Sequence, residues 1–151
     1  MKSRPATNAE LFRHMPCMCG ALRTATRAVT RLYDRELGAA GLRGTQFSIL
    51  NILSTLGPMR QSALAKFLAA EKTTMSRNLR LVEVRGWVSL AEGDDRRERI
   101  VALTAKGRAR LDGALRSWER AQQKLRQSLG EDGWHVLREL LPRVADAALR
   151  A

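Results

Sequence analysis

The stretch QSALAKFLAAEKTTMSRNLRLVEVRGWVSLAEGDDRRERIVALT, from Gln61 to Thr104, decides the fold. Its first part, with Leu64-Ala65-Lys66-Phe67-Leu68, reads as a short helix. A tight turn leads into a second helix, which carries Thr73-Thr74-Met75-Ser76-Arg77 and runs to Arg85, with Gly86 as its stop. Trp87-Val88-Ser89-Leu90 begins a strand, Gly93-Asp94-Asp95-Arg96-Arg97 turns a hairpin, and Ile100-Val101-Ala102-Leu103-Thr104 returns. Helix, turn, helix and hairpin is the order of a winged helix-turn-helix. In that arrangement one helix enters a DNA major groove and the hairpin reaches the neighbouring minor groove.

The second helix has two different faces. At about 100° per residue, Met75, Leu79, Val82 and Gly86 share a narrow apolar side that predicts packing on the preceding helices. Thr73, Arg77 and Arg80 fall opposite, with Lys72, Thr74 and Ser76 near the N-terminal end, where short hydroxyls and a positive helix end suit phosphate. Arg77 is the candidate base reader, because a guanidinium can be bidentate to guanine. Ser62, on the preceding helix, completes the contact set with the wing residues Asp95, Arg96, Arg97 and Arg99. A carboxylate in a DNA-facing loop repels phosphate unless it is put to use. Asp95 is therefore read as holding a nearby arginine in one rotamer, ready for a narrow, electronegative minor groove. The competing readings are a solvated basic helix face and a polar hairpin tip with incidental charges. The presence of both features side by side favours DNA.

Charge points the same way. The 151 residues carry 27 Lys and Arg against 15 Asp and Glu, a formal charge of +12, which suits a polyanionic partner. Aromatic residues make up 5%, too few for the stacking platforms of single-strand or RNA binders. No run approaches the roughly 18 apolar residues of a membrane span. The start Met1-Lys2-Ser3-Arg4-Pro5 lacks a secretory apolar core, so the expected compartment is the cytoplasm.

Outside the winged segment the pattern is helical. From about Leu11 to Leu37, the residues Met15, Met18, Leu22, Ala25, Val29, Leu32 and Tyr33 recur at three- and four-residue steps. Gly38, Gly41 and Gly44 end that helix, and Thr45 is read as the N-cap of a helix carrying Phe47, Ile49, Leu50 and Leu53, which Gly57-Pro58 breaks. Thr104 caps a long helix from about Ala105 to Leu129 with an apolar seam approximated by Leu111, Leu115, Trp118, Leu125 and Leu129. A break at Gly130 to Gly133 precedes a last helix with Trp134, Leu137, Leu140, Leu141 and Val144, in which Pro142 predicts a kink or an early end. These terminal helices have no second core to cover them, so a two-fold dimer is expected, with Leu22, Val29, Leu129, Trp134, Leu137, Leu140 and Leu141 in its interface. The reading is thus a mostly α fold with a small β-hairpin wing (α+β). Residues 1–40 form an arm and dimerisation helix, 41–108 the winged helix-turn-helix and 109–151 the C-terminal dimerisation helices.

Two features bear on other chemistry. Cys17 and Cys19 are candidate sensing thiols, among Arg13, His14 and Arg23 near a helix start, for an oxidant or a thiophilic metalloid. Two apart on a helix, they point about 200° from each other, which opposes a disulfide; the competing reading is two small residues buried in a dimer interface. Catalysis has little support, since of the two histidines, His14 and His135, the latter lies beside Trp134 with no neighbouring nucleophile, and Glu71, Glu83, Asp94 and Asp95 form no evident pair. Neither a cofactor nor a metal site is expected.

The order of these motifs resembles the MarR family of bacterial transcription regulators. Gly41-Leu42 with Thr45-Gln46-Phe47, Leu50 and Leu53 looks like the family's second helix, and Leu64-Ala65 like its third. Ser76-Arg77 with Leu79, Val82-Glu83 and Arg85-Gly86-Trp87-Val88 looks like its recognition helix and first wing strand. Asp95-Arg96-Arg97, Ile100-Val101, Leu103-Thr104 and Gly107 resemble the wing signature and the start of the fifth helix. The resemblance implies a homodimer on a palindromic double-stranded operator, usually a repressor released by a small-molecule effector. It implies that Ser76 and Arg77 approach bases, and that Arg97 enters the minor groove with Asp95 orienting it. It also implies an effector pocket near the first, second and fifth helices. A thiol-based sensor, an architectural DNA-binding protein and a protein-binding winged helix are the other readings.

Overall fold

The computed structural model describes Glu10 and residues 17–93 and 98–150. Among these, the elements run α1 (Met18–Gly38), α2 (Gly44–Leu56), β1 (Met59–Arg60), α3 (Gln61–Phe67), α4 (Lys72–Val84), β2 (Val88–Glu92), β3 (Arg99–Leu103) and α5 (Ala105–Arg150). The mostly helical fold with a small antiparallel sheet is as the sequence predicts. The sheet has a third strand that the pattern did not reveal. Its order is β1-β3-β2, with Met59 opposite Val101 and Arg60 opposite Ile100. Two residues are too short for a visible alternation, so β1 exists only through its partner.

The core gathers around α2. Ile49 and Leu50 are fully buried with Leu37 of α1, Leu64 of α3, Met75 and Val82 of α4 and Val101 of β3. Met75, Leu79 and Val82 recur at four and three residues, which turns one side of α4 inward. Burial of each contributes about 1.5–3 kcal/mol. Gly86 then stops the chain at a φ of 70°, with its N–H donating to the Glu83 carbonyl and that of Trp87 to the Val82 carbonyl. The tight turn between α3 and α4 is made without glycine, because Ala69 itself takes a φ of 46°.

Three local expectations are corrected. Thr45 does not cap α2. The helix begins at Gly44, whose N–H donates to Asp34 Oδ1 of α1 at 2.7 Å, while the Arg43 N–H donates to Gln46 Oε1 at 3.0 Å. A carboxylate ten residues upstream replaces the local hydroxyl. Pro142 does not end its helix: α5 continues to Arg150, and its non-helical backbone is at Gly130, with φ 70° and ψ 168°. Pro142 is exposed, so the carbonyl that loses its helical donor can be served by water. The break is narrower than Gly130 to Gly133, and the Arg126 guanidinium spans it by gripping the Glu131 carboxylate at 2.7 and 2.5 Å.

The seam of α5 also differs. Its buried residues are Gly107, Leu111, Ala114, Ser117 and Ala121, while Leu115 and Leu129 lie exposed. Small side chains let α5 approach α1 and α2 closely, and a leucine count cannot register them. Trp118 stacks on Phe47 of α2 with ring centroids 5.8 Å apart. Glu36 of α1, its side chain only 10% exposed, receives Lys124 at 2.5 Å and Arg120 at 3.6 Å from α5. The Lys124 hydrogen bond holds the Glu36 carboxyl below its ordinary pKa, against the opposing pull of burial.

The start of α5 rests directly on the turn after α4. Thr104 Oγ1 donates to the Gly86 carbonyl at 2.7 Å and accepts the Gly107 N–H at 2.9 Å, so the expected cap is present and also grips the turn. A Cβ at Gly107 would stand 1.9 Å from the Trp87 carbonyl oxygen. The Thr104-x-x-Gly107 spacing is thereby explained: one residue caps, and the other leaves room for the backbone beneath it.

Candidate nucleic-acid interface

With one side of α4 buried, the other is presented outward by the same helical geometry. Lys72, Thr73, Thr74, Ser76, Arg77 and Arg80 are all exposed. Ser62 of α3 and Arg99 of β3 are exposed as well. Asp95, Arg96 and Arg97 lie outside the described residues.

Ser62, Lys72, Ser76, Arg80 and Arg99 line one cleft of about 920 Å³ between α3, α4 and the wing, joined by Gln61, Lys66, Glu83 and Glu98. Leu79 and Leu90 form its apolar floor. Arg77 is not among the lining residues and stands on the open side of α4. The arrangement offers a convex basic helix and, beside it, a polar trough with cations on both walls. A double helix with its alternating grooves and phosphate ridges fits such a relief.

The wing is anchored where it leaves the core. Val88 and Val101 are buried, Leu90 pairs with Val101, and Glu92 pairs with Arg99 at the neck. There the Gly93 N–H donates to the Glu98 carbonyl at 2.9 Å. At its base, Trp87 is 6% exposed and carries the guanidinium groups of Arg85 and Arg110, 5.0 and 5.4 Å from the ring centroid.

Sequence reasoning missed three residues in this region. Gln61 donates from Nε2 to Ser76 Oγ at 2.8 Å, and Ser76 Oγ donates to the Lys72 carbonyl at 2.9 Å. Arg60 Nε stands 3.0 Å from Glu98 Oε2. No periodicity or motif marks such pairs, because their partners are far apart in the chain.

The cysteine reading is corrected in one respect. Cys17 is the N-cap of α1, with φ −93° and ψ 105°, so it lies outside the helix on which the 200° argument depended. Both thiols are exposed in the single chain. Among the described residues, no group of three or more His, Cys, Asp or Glu is placed to hold a metal ion, and no helix is long and apolar enough to cross a membrane. A second depression of about 550 Å³ lies against Val84, Trp87 and Lys106. Neither depression is lined by α1 or α2, where the effector pocket was expected. The Phe47–Trp118 stack joins α2 to α5, and the Glu36 ion pairs join α1 to α5.

Comparison with known proteins gives a consistent picture. The model of the MarR family matches residues 42–98. A protein of Bacillus subtilis (strain 168), the uncharacterised HTH-type transcriptional regulator YwoH, is 32% identical over 88 residues. That match spans 58% of this chain and 64% of the relative, a little under two thirds of its length. Among solved structures, the M. tuberculosis transcriptional regulator MosR in complex with DNA is 36% identical, with a TM-score of 0.80 over 89% of this chain and 97% of that one. A probable transcriptional regulator from Pseudomonas aeruginosa is 27% identical, with a TM-score of 0.75 over 85% of this chain and 97% of its own.

Proposed function

Because the chain belongs to the MarR family, we propose that it is a sequence-specific DNA-binding transcription regulator, acting as a homodimeric repressor that a small-molecule ligand releases from a palindromic operator. The observation that carries this reading is the division of α4: Met75, Leu79 and Val82 are buried, and Lys72, Thr73, Thr74, Ser76, Arg77 and Arg80 are turned to solvent beside the exposed Arg99 of the wing. Arg77 reads a base edge. Lys72, Thr73, Thr74 and Arg80 settle on phosphates, with Ser62 and Arg99 at the margins. The loop residue Arg97, oriented by Asp95, enters the minor groove beside Arg96. MosR, similar over nearly its whole length, has been crystallised with DNA, which supports the same partner here.

The dimer is supported by the apolar residues left bare at both ends of the chain. Met18, Leu129, Val136, Leu140, Leu141 and Leu149 are between 39% and 78% exposed. In the proposed division, residues 1–40 and 109–151 join the protomers and 41–108 binds DNA in the cytoplasm. The test is selection of bound duplexes from a random pool. The expected winner is an inverted repeat with half-site centres about 10–10.5 base pairs apart or a multiple of that. Binding of all duplexes alike would point instead to an architectural protein.

A further inference from the structure

Two successive residues at the junction of β1 and α3 reach to two different elements. Arg60 pairs with Glu98 at 3.0 Å. Glu98 sits at the neck of the wing, and its carbonyl closes the loop by accepting the Gly93 N–H at 2.9 Å. The next residue, Gln61, reaches across to α4 and donates to Ser76 Oγ at 2.8 Å. One dipeptide therefore holds both walls of the cleft. We infer that Arg60 and Gln61 are positioning residues, which keep the wing and the reading helix at a set separation and so tune which sequences the interface prefers. The inference rests on the DNA-binding reading above.

The junction is built to act as a stiff spacer. Arg60 is hydrogen-bonded into the sheet opposite Ile100 and is at the same time the N-cap of α3. Four residues after Arg60, Leu64 is fully buried and fixes α3 to the core. Stability is not what the two contacts supply. The Arg60 and Glu98 side chains are 59% and 30% exposed, and an ion pair that open to water contributes little. Glu98 is also a carboxylate in a basic cleft, where on charge alone it opposes a polyanion. Its use is then geometric. Ser76 changes role in the same way. Its proton is committed to the Lys72 carbonyl and its oxygen accepts from Gln61, so it holds α4 in place rather than donating to a base.

The experiment compares the full-length wild type with Glu98→Gln and Gln61→Leu, on duplexes varied one position at a time and in the DNA-free protein. Unfolding midpoints should agree within about 2 °C, because both sites are at the surface. In Glu98→Gln, discrimination at the outer, wing-facing positions should fall about fivefold, the difference between the charge-assisted bond from Arg60 and the neutral one an amide oxygen still accepts, even though loss of a negative charge favours tighter binding. In Gln61→Leu, and equally in Ser76→Ala, the fall should appear at the inner positions read by α4. Without DNA, amide exchange should quicken at Gly93 in Glu98→Gln and in the first turns of α4 in Gln61→Leu. Uniformly tighter binding by Glu98→Gln with every preference unchanged would show that Glu98 acts as a charge alone, and would overturn the inference. Unchanged exchange at both sites would overturn it too. A wild type that binds no duplex defeats the parent reading, and the exchange measurement still decides whether the two ties exist.

Discussion

A single methyl group at Gly107 should cost more than any helix-propensity argument allows. Alanine is favoured over glycine inside a helix by about 1 kcal/mol, so Gly107→Ala on local grounds ought to stabilise. The tertiary contact reverses the sign. The added Cβ would lie 1.9 Å from the Trp87 carbonyl oxygen and 2.8 Å from Leu103 Cδ1, and the first obstacle is backbone that no rotamer can clear. The start of α5 and the Gly86–Trp87 turn must separate by about an ångström, an overpacking that costs about 1–3 kcal/mol. Two hydrogen bonds cross the same seam, Thr104 N–H to the Trp87 carbonyl at 3.1 Å and Thr104 Oγ1 to the Gly86 carbonyl at 2.7 Å. Weakening them adds about 0.5–1.5 kcal/mol each. Less the propensity gain, the net loss is about 1–5 kcal/mol, a fall of about 2–20 °C in the unfolding midpoint for a chain of this size. The control is on the same helix. A Cβ at Gly113 meets nothing within 4 Å, so Gly113→Ala should gain about 0.4–1 kcal/mol. Both midpoints are measured by circular dichroism at one protein concentration, because association shifts them. Gly107→Ala as stable as wild type would refute the argument that close backbone approach demands this glycine.

Four further outcomes are expected. Arg77→Ala should lose about 1–3 kcal/mol on the best operator and relax preference at one base pair, leaving the unfolding midpoint unchanged; titration of operator variants checks this. The intact chain should sediment as a dimer at micromolar concentration; a well-folded monomer from the intact chain would contradict it. The Lys124-bound Glu36 has a lowered carboxyl pKa, so its contribution to stability is complete above the unfolded value of about 4.3 and is lost as pH falls through the folded value. The stability difference between wild type and Glu36→Gln, followed by urea unfolding against pH, should shrink over that acid window and stay flat above it. Ala69→Gly should gain up to about 1 kcal/mol in the same assay, because a φ of 46° strains alanine; a clear loss would mean that the turn is held by more than its backbone conformation.

The winged segment was readable because its signals are local. The spacing of Met75, Leu79 and Val82 sets which side of α4 faces the core, and with it which residues face out, whatever lies opposite. Gly86 stops the helix through its own backbone freedom, and Thr104 caps α5 within three residues of itself. The outward set from Lys72 to Arg80 followed from that periodicity. What the chain could not announce depends on partners distant in sequence. The strand β1 exists only through β3, and α2 is capped from Asp34 rather than Thr45. The α5 seam runs through glycine, alanine and serine because only the nearness of α1 and α2 makes small side chains valuable there. Gln61 finds Ser76 fifteen residues on, and Arg60 finds Glu98 only once β1 has joined the sheet. Periodicity and capping are properties of a few neighbouring residues. The separation of the wing from the reading helix depends on how buried elements pack, and it is decided only when the whole core has closed around α2.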